Sequence, residues 1–203
     1  MSSSSNPRLA SLRAFLEAQP RTPGAEWLSA ISVFGGGALS RAAFFLARMT
    51  LAVWEAGTAG DQELRCAVER LDTLTSLEDH WSPRLDAEAL ELRTSLLELA
   101  LRTADLEGQP IRIGGPSTPL VACVDAVRCA IGTWLGDDPE RVLTVDSKRP
   151  ATRKHALLWA EDCLGAAVDA LGVPEQRLLE LVRRELVAWL AVSSRIPRSR
   201  WSR

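Results

Sequence analysis

The sequence has few of the residues from which catalytic and metal sites are usually built. Among 203 residues there are two histidines and four cysteines, and there is no tyrosine. The cysteines, at positions 66, 123, 129 and 163, form no CxxC pair and share no metal-ligand spacing with a histidine. We therefore expect neither a metal nor a cofactor, and four free thiols of the kind that a reducing cytoplasm preserves.

The motifs of the common enzyme families are also missing. Neither His80 nor His155 belongs to an HExxH or ExxH pattern, and no GxSxG motif supports an α/β-hydrolase. Gly35-Gly36-Gly37 opens a helical stretch, but it lacks the lysine of a P-loop and the preceding strand of a dinucleotide-binding fold. We interpret these glycines as a turn that permits a tight helix crossing. An anion site completed by Arg41 is the alternative.

No apolar run in the sequence is long enough to cross a membrane. The most apolar stretch, 42–54, is interrupted by Arg48, whereas spanning requires about 20 apolar residues. The N-terminus lacks the charged and apolar regions of a signal peptide. We expect a cytoplasmic protein in which residues 1–7 are a flexible leader.

What the sequence does have is apolar residues at helical spacing. Hydrophobic residues make up 46% of the chain and charged residues 25%, which is enough for one domain with a substantial core. No reliable period-2 alternation appears, so the predicted fold is all-α, a single globular domain of about seven to eight helices at 8–193. Its last two helices are predicted to form an antiparallel hairpin, and a basic flexible tail follows at 194–203. The predicted helices cover 8–19, 25–34, 38–56, 61–76, 84–106, a segment beginning at Thr118-Pro119 and running to about 135, 151–171, and 175–192.

Polar and helix-breaking residues mark the ends of these segments. Asp61 is suited to cap the N–H groups of the helix that follows it, and Thr118 can do the same beside Pro119 in a first turn. Gly172 ends one predicted helix, and Pro174 begins the next. Between 108 and 117 only a short extended segment, Ile111–Ile113, is expected.

Composition adds two further features. The 22 arginines stand against two lysines, Lys148 and Lys154, which we interpret as the coding preference of a GC-rich, bacterial-like genome, with bidentate anion recognition as the alternative. The seven tryptophans are many for this length and suit a core built around large anchors.

The net charge of −2 conceals a strong asymmetry. Residues 61–107 contain five basic and twelve acidic residues, a charge of −7, whereas residues 148–203 contain eleven basic and six acidic residues, a charge of +5. The near-zero total excludes a globally basic nucleic-acid binder. One interpretation is that the two regions are simply solvated or face each other. The alternative is that they form a bipolar surface that steers charged partners.

The leading hypothesis is a non-enzymatic, protein-binding helical domain, such as an adaptor, a regulatory subunit or an antitoxin/immunity-type inhibitor. Its partner is expected to be another protein with a basic surface. The predicted partner-binding residues are acidic: Asp72, Glu78, Asp79, Asp86, Glu88 and Glu91.

Two alternatives belong to other functional classes. An enzyme or small-molecule binder would use an apolar pocket between helices, lined by Trp54, His80, Trp81 and His155. A nucleic-acid-associated protein would use the basic C-terminal end, where arginines alternate with an aromatic residue that can stack on bases: Arg195, Arg198, Arg200, Trp201 and Arg203.

Overall fold

Eight α-helices form the part of the chain that the computed structural model describes, which comprises residues 7–18, 24–76, 83–108, 118–137, 151–193 and 196. These residues contain no strand, and the helices pack into one domain, so the all-α prediction is confirmed. The helices are α1 (Pro7–Ala18), α2 (Gly24–Ser32), α3 (Gly36–Gly57), α4 (Glu63–Ser76), α5 (Pro83–Leu106), α6 (Pro119–Leu135), α7 (Arg153–Leu171) and α8 (Glu175–Val192). The extended segment predicted at 111–113 lies outside the described residues, and the division into leader, domain and tail stays a prediction.

The predicted helix ends are observed as local hydrogen bonds. The Asp61 carboxylate accepts a hydrogen bond of 2.8 Å from the backbone N–H of Glu63, the first residue of α4. The Thr118 hydroxyl accepts one from the N–H of Val121, in the first turn of α6. Gly172 has φ +61° and ends α7 in the left-handed conformation that glycine adopts without steric cost. Short-range chemistry therefore sets these boundaries.

α6 is the central helix of the domain. α3, α4, α5 and α7 all pack on it, and between Val121 and Leu135 nearly every residue is buried. Apart from the partly exposed line of Val121, Asp125 and Arg128, α6 is buried around its circumference, as is typical of an interior helix. α5 and α7 both run antiparallel to α6. The Arg93 side chain of α5 meets Asp137 just beyond the end of α6, and the N–H of Thr152, just before α7, donates to the carbonyl of Gly136.

α3 is the second interior helix, because it is buried without interruption from Gly36 to Ala47. The turn before it requires glycine at Gly35, whose φ of +124° is a conformation that other residues rarely adopt. Gly36 and Gly37 are themselves buried in the first turn of the helix. Their burial supports the interpretation of this triplet as a turn that permits close packing.

α8 closes the other side of the domain. It follows α7 across the short connection predicted from Gly172 and Pro174, and it packs on α1, α3, α7 and α2. Two arginines join α1 to α8: Arg13 donates to the carbonyl of Leu190, and Arg183 donates to the carbonyl of Leu16 at 2.9 Å. Each therefore uses a backbone acceptor on the other helix.

Four tryptophans, Trp27, Trp54, Trp134 and Trp159, are at most 2% exposed and anchor the core. None of the described helices combines the length and apolar character needed to cross a bilayer.

Candidate functional site

The predicted acidic surface is partly neutralised inside the domain. The Asp72 carboxylate of α4 forms an ion pair with Arg41 of α3, an arginine that is only 8% exposed. The Arg41 guanidinium also donates to the hydroxyls of Thr75 and Ser76 and lies 4.3 Å from the centre of the Phe44 ring. Because a buried arginine needs a counter-charge, the first role of Asp72 is to compensate Arg41.

The other predicted partner-binding residues have different surroundings. Asp86 is 8% exposed and is therefore not part of an open surface. Glu88 is half-buried and accepts a hydrogen bond of 2.7 Å from Arg70 across the α4–α5 contact. Glu91 is exposed, while Glu78 and Asp79 lie outside the described residues. Of the described members of this set, Glu91 is thus the one that both faces solvent and has no ion pair among the described residues.

Glu91 belongs instead to a line of carboxylates along the outer side of α5. Glu91, Glu98 and Asp105 are all exposed, and their spacing of seven residues places them on one face of the helix. We call these three residues the α5 acidic stripe. Leu101, 43% exposed, lies beside the stripe. Both charge and apolar surface are therefore available on this face.

The residues predicted to form an apolar pocket are not brought together where the structure describes them. Trp54 lies in the last turns of α3, one turn after Thr50. The Cys123 thiol of α6 donates to the carbonyl of Thr50, so Trp54 is near the N-terminal end of α6. His155 lies in the first turn of α7, and its backbone N–H donates to the Thr152 hydroxyl. Because the N–H of Thr152 donates to the carbonyl of Gly136, His155 is near the C-terminal end of α6. Trp54 and His155 are therefore about 20 Å apart along the axis of α6.

His80 and Trp81, which complete the predicted pocket, lie outside the described residues. The basic residues predicted to contact nucleic acid, Arg195, Arg198, Arg200, Trp201 and Arg203, also lie outside them. Both alternative functions therefore stay predictions.

A charged cluster that the sequence did not predict lies where α5, α6 and α7 meet. Arg93 of α5 is 4% exposed and makes two hydrogen bonds of 2.7 Å to the carboxylate of Asp137. The Trp159 indole N–H donates to the backbone carbonyl of the same Asp137 at 2.8 Å. The guanidinium carbon of Arg93 lies 5.4 Å from the Trp159 ring centre, and that of Arg128 lies 5.6 Å from it. Two arginines are therefore held against one buried tryptophan.

Gly132 of α6 makes room for this tryptophan. A Cβ atom at position 132 would lie 2.4 Å from the indole Cδ2 of Trp159 and 2.7 Å from its Cγ, well inside van der Waals contact. Glycine is unfavourable within a helix, so its presence here is explained by the close approach of the indole ring. α6 and α7 therefore approach each other closely at this point.

Beyond the tryptophan, two carboxylates lie near one arginine. Arg128 forms an ion pair of 2.9 Å with Asp125 on α6, while Asp162 of α7 lies near both residues and directly follows Glu161 in the chain. Burial raises the pKa of Asp162, and the nearby Asp125 carboxylate raises it further, although Arg128 opposes both effects. Burial and the charge of Asp162 likewise raise the pKa of Glu161. The excess of negative charge here favours the approach of a cation.

The three buried cysteines show no sign of nucleophilic activation. All four are free thiols, as the sequence led us to expect, and Cys123, Cys129 and Cys163 are buried. Burial raises the pKa of Cys123 to about 11 and that of Cys129 to about 12, and it raises the pKa of Cys163 well above its usual value. These three thiols therefore stay protonated at neutral pH, where a thiolate would be needed for attack.

No group of three or more histidine, cysteine, aspartate or glutamate side chains suited to hold a metal occurs among the described residues. The chain matches no family model, and no curated protein or solved structure resembles it closely enough to indicate a relationship. The chemistry of its own surface is therefore what points to a function.

Two sequence signals could have located the arginine–tryptophan cluster and the acidic stripe. Arg93 lies between Ala89 and Leu96 on the apolar face of α5. A charged residue at such a position indicates a guanidinium that is buried where α5 packs against another helix. The repeat of acidic residues at 91, 98 and 105 indicates one continuous face. The partners of these residues lie on other helices, and no local pattern reveals them.

Proposed function

We propose that this chain is a protein-binding helical domain whose partner presents a basic surface. The observation that carries the proposal is the α5 acidic stripe, whose three carboxylates are exposed and have no ion pair among the described residues. Other acidic residues of the −7 region are already engaged, as Asp72 is with Arg41 and Glu88 is with Arg70.

The surroundings of the stripe support a protein partner over a small cation. Leu101 provides apolar surface beside the stripe, and Leu106, in the last turn of α5, is 88% exposed. Exposed leucines next to carboxylates that have no ion pair among the described residues combine the apolar contact that stabilises a protein interface with the charge that selects its partner. An adaptor, a regulatory subunit and an immunity-type inhibitor all use such a surface.

Charge reversal along the stripe tests the proposal. The test variant carries Glu91→Lys, Glu98→Lys and Asp105→Lys. The control variant carries the same change in net charge on other helices, through Glu17→Lys, Glu26→Lys and Glu175→Lys. Each tagged protein is purified from cells of its source, and the co-purifying material is measured by native mass spectrometry.

We expect one stoichiometric protein with a basic surface to accompany the wild type and the control variant, and to be lost from the stripe variant. Retention of the same partner by the stripe variant would contradict a role for the stripe. A wild-type protein that carries a small molecule or nucleic acid in place of a protein partner would refute the proposed class of function.

A further inference from the structure

Among the residues that the structure describes, no helix covers the side of α6 that lies between α5 and α7. Around α6, α7 contacts α3, α3 contacts α4, and α4 contacts α5, whereas α5 and α7 meet through the side chains of Arg93 and Trp159 and are not closely packed along their length. The ring of helices that encloses α6 is therefore incomplete on one side. We call this gap the α5–α7 groove.

The floor of the groove is a narrow strip of α6. Between Val121 and Leu135 the residues that are not buried are Val121, Asp125 and Arg128, whose spacings of four and three residues place them on one line of the helix. One end is closed by the cluster of Arg93 and Trp159, with Gly132 lying under the indole. From Gly132 to Val121 the floor extends about 17 Å, which is about three helical turns.

The α5 wall is apolar and the α7 wall is acidic and lined by small residues. Leu97 and Leu101 follow Arg93 by one and two turns on α5, on the side turned away from α4. On α7, Asp162 and Ala166 follow Trp159 by about one and two turns. Gly165 at the rim has open space around it, because a Cβ added there would meet no atom within 4 Å.

The charges of the groove identify the kind of occupant. Two carboxylates, on Asp125 and Asp162, lie near the guanidinium of Arg128, while the Arg93 guanidinium at the closed end is already paired with Asp137. The unbalanced negative charge lies opposite the leucine wall, so a matching ligand must be apolar on one side and cationic on the other. A basic amphipathic helix has this pattern, and the gap between two helices that flank a third is a shape that a helix can fill.

We propose that the α5–α7 groove binds one basic amphipathic helix of the partner protein, with its leucine-like side chains against Leu97 and Leu101 and its arginine or lysine side chains at Asp162 and Asp125. The inference rests on the proposed function and assigns to it a second contact surface beside the α5 acidic stripe. The stripe attracts the basic partner, and the groove determines which of its helices is bound.

The test uses a fluorescent peptide of about 16 residues, long enough for the three-turn floor, with leucines on one face and arginines flanking them. A scrambled peptide of identical composition has the same charge but no apolar face. Fluorescence anisotropy at ~150 mM salt, where long-range attraction is screened, measures both affinities. We expect the amphipathic peptide to bind the full-length protein at least about tenfold more tightly than the scrambled one.

Two pairs of variants locate the binding site. Leu101→Glu places a charge in the groove wall, whereas Val192→Glu places a charge at an exposed apolar residue of α8, outside both the groove and the α5 acidic stripe. Asp162→Lys reverses a groove charge, and Glu175→Lys is its control on α8. We expect the Leu101 and Asp162 variants to weaken binding about tenfold and both controls to change it less than about twofold, with unaltered circular dichroism in all four.

The failures of the two proposals are distinguishable. If the co-purifying partner is lost from the stripe variant but retained by Asp162→Lys, which changes the groove and leaves the stripe and its leucines intact, the proposed function stands and the groove is not its site. Equal affinity for the amphipathic and scrambled peptides, or no binding below about 1 mM, would overturn the groove proposal. So would a wild-type dimer that Leu101→Glu converts to a monomer, because a second copy of the chain would then occupy the groove.

Discussion

Replacing Gly132 by alanine should destabilise the protein, although alanine is ordinarily the better residue inside a helix. The added Cβ would lie 2.4 Å from Cδ2 of Trp159. The indole cannot simply move aside, because its N–H is bonded to the carbonyl of Asp137 and both Arg93 and Arg128 lie within 6 Å of its ring centre. The clash must therefore separate α6 from α7 or break this hydrogen bond.

The magnitude follows from three opposing contributions. Overpacking a rigid core contact costs about 1–3 kcal/mol, and weakening the indole hydrogen bond costs about 1 kcal/mol more. The gain in helix propensity from glycine to alanine offsets about 1 kcal/mol. We expect Gly132→Ala to lower the free energy of unfolding by about 1–3 kcal/mol, equivalent to a fall in Tm of roughly 2–4 °C for each kcal/mol at this chain length.

Gly165→Ala is the matched control, because Gly165 is an exposed glycine of α7 with no atom near its added Cβ. It should raise the free energy of unfolding by up to about 1 kcal/mol. Urea unfolding followed by far-ultraviolet circular dichroism measures both variants against the wild type. If Gly132→Ala were stabilised as much as Gly165→Ala, the reasoning that glycine is required at position 132 for the close approach of the Trp159 indole would be refuted.

Three further predictions concern charge, helix capping and pH. Asp137→Ala should lower the free energy of unfolding by about 3–5 kcal/mol, because it leaves the buried Arg93 without its bidentate partner. Glu88→Gln breaks a largely exposed ion pair with Arg70 and should change the free energy of unfolding by less than about 1 kcal/mol. Similar losses for the two variants in urea titrations would contradict this contrast. Thr118→Ala should cost about 1 kcal/mol by removing the N-cap of α6, with Thr118→Ser as the variant that retains it. Burial raises the pKa of Cys123 from 9.0 to about 11, so the thiol keeps its proton to higher pH in the folded state than in the unfolded state. The free energy of unfolding should therefore decline as the pH rises from about 9 toward 11. In unfolding curves across this range the free energy of unfolding of Cys123→Ala should decline less steeply, and an unchanged slope would show that Cys123 does not contribute.

Most helix boundaries were predictable from local sequence. The predicted segments 84–106 and 175–192 became α5 at Pro83–Leu106 and α8 at Glu175–Val192. Such agreement is expected where amphipathic periodicity is strong and where the ends carry their own signals, as at Gly172. These signals act within one turn of the chain, so they do not depend on which helix packs against which.

The candidate site was much less predictable. The acidic charge of residues 61–107 was visible in the sequence, but its distribution between paired and unpaired groups was not. Asp72, which is predicted to bind a partner, forms an ion pair with the buried Arg41, whereas Glu91 is exposed. An ion pair between residues 31 positions apart depends on the packing of α3 against α4, which hydrophobic periodicity does not specify.

The sequence by itself determined the all-helical class, the positions of the helices and the absence of the common catalytic motifs, because these follow from residue type and near-neighbour spacing. Only the tertiary structure decided that α6 is central, that Gly132 and Trp159 join it to α7, and that a gap remains between α5 and α7. Burial and electrostatics act through space, so a carboxylate becomes available for binding only after the packed helices have determined which other charges it meets.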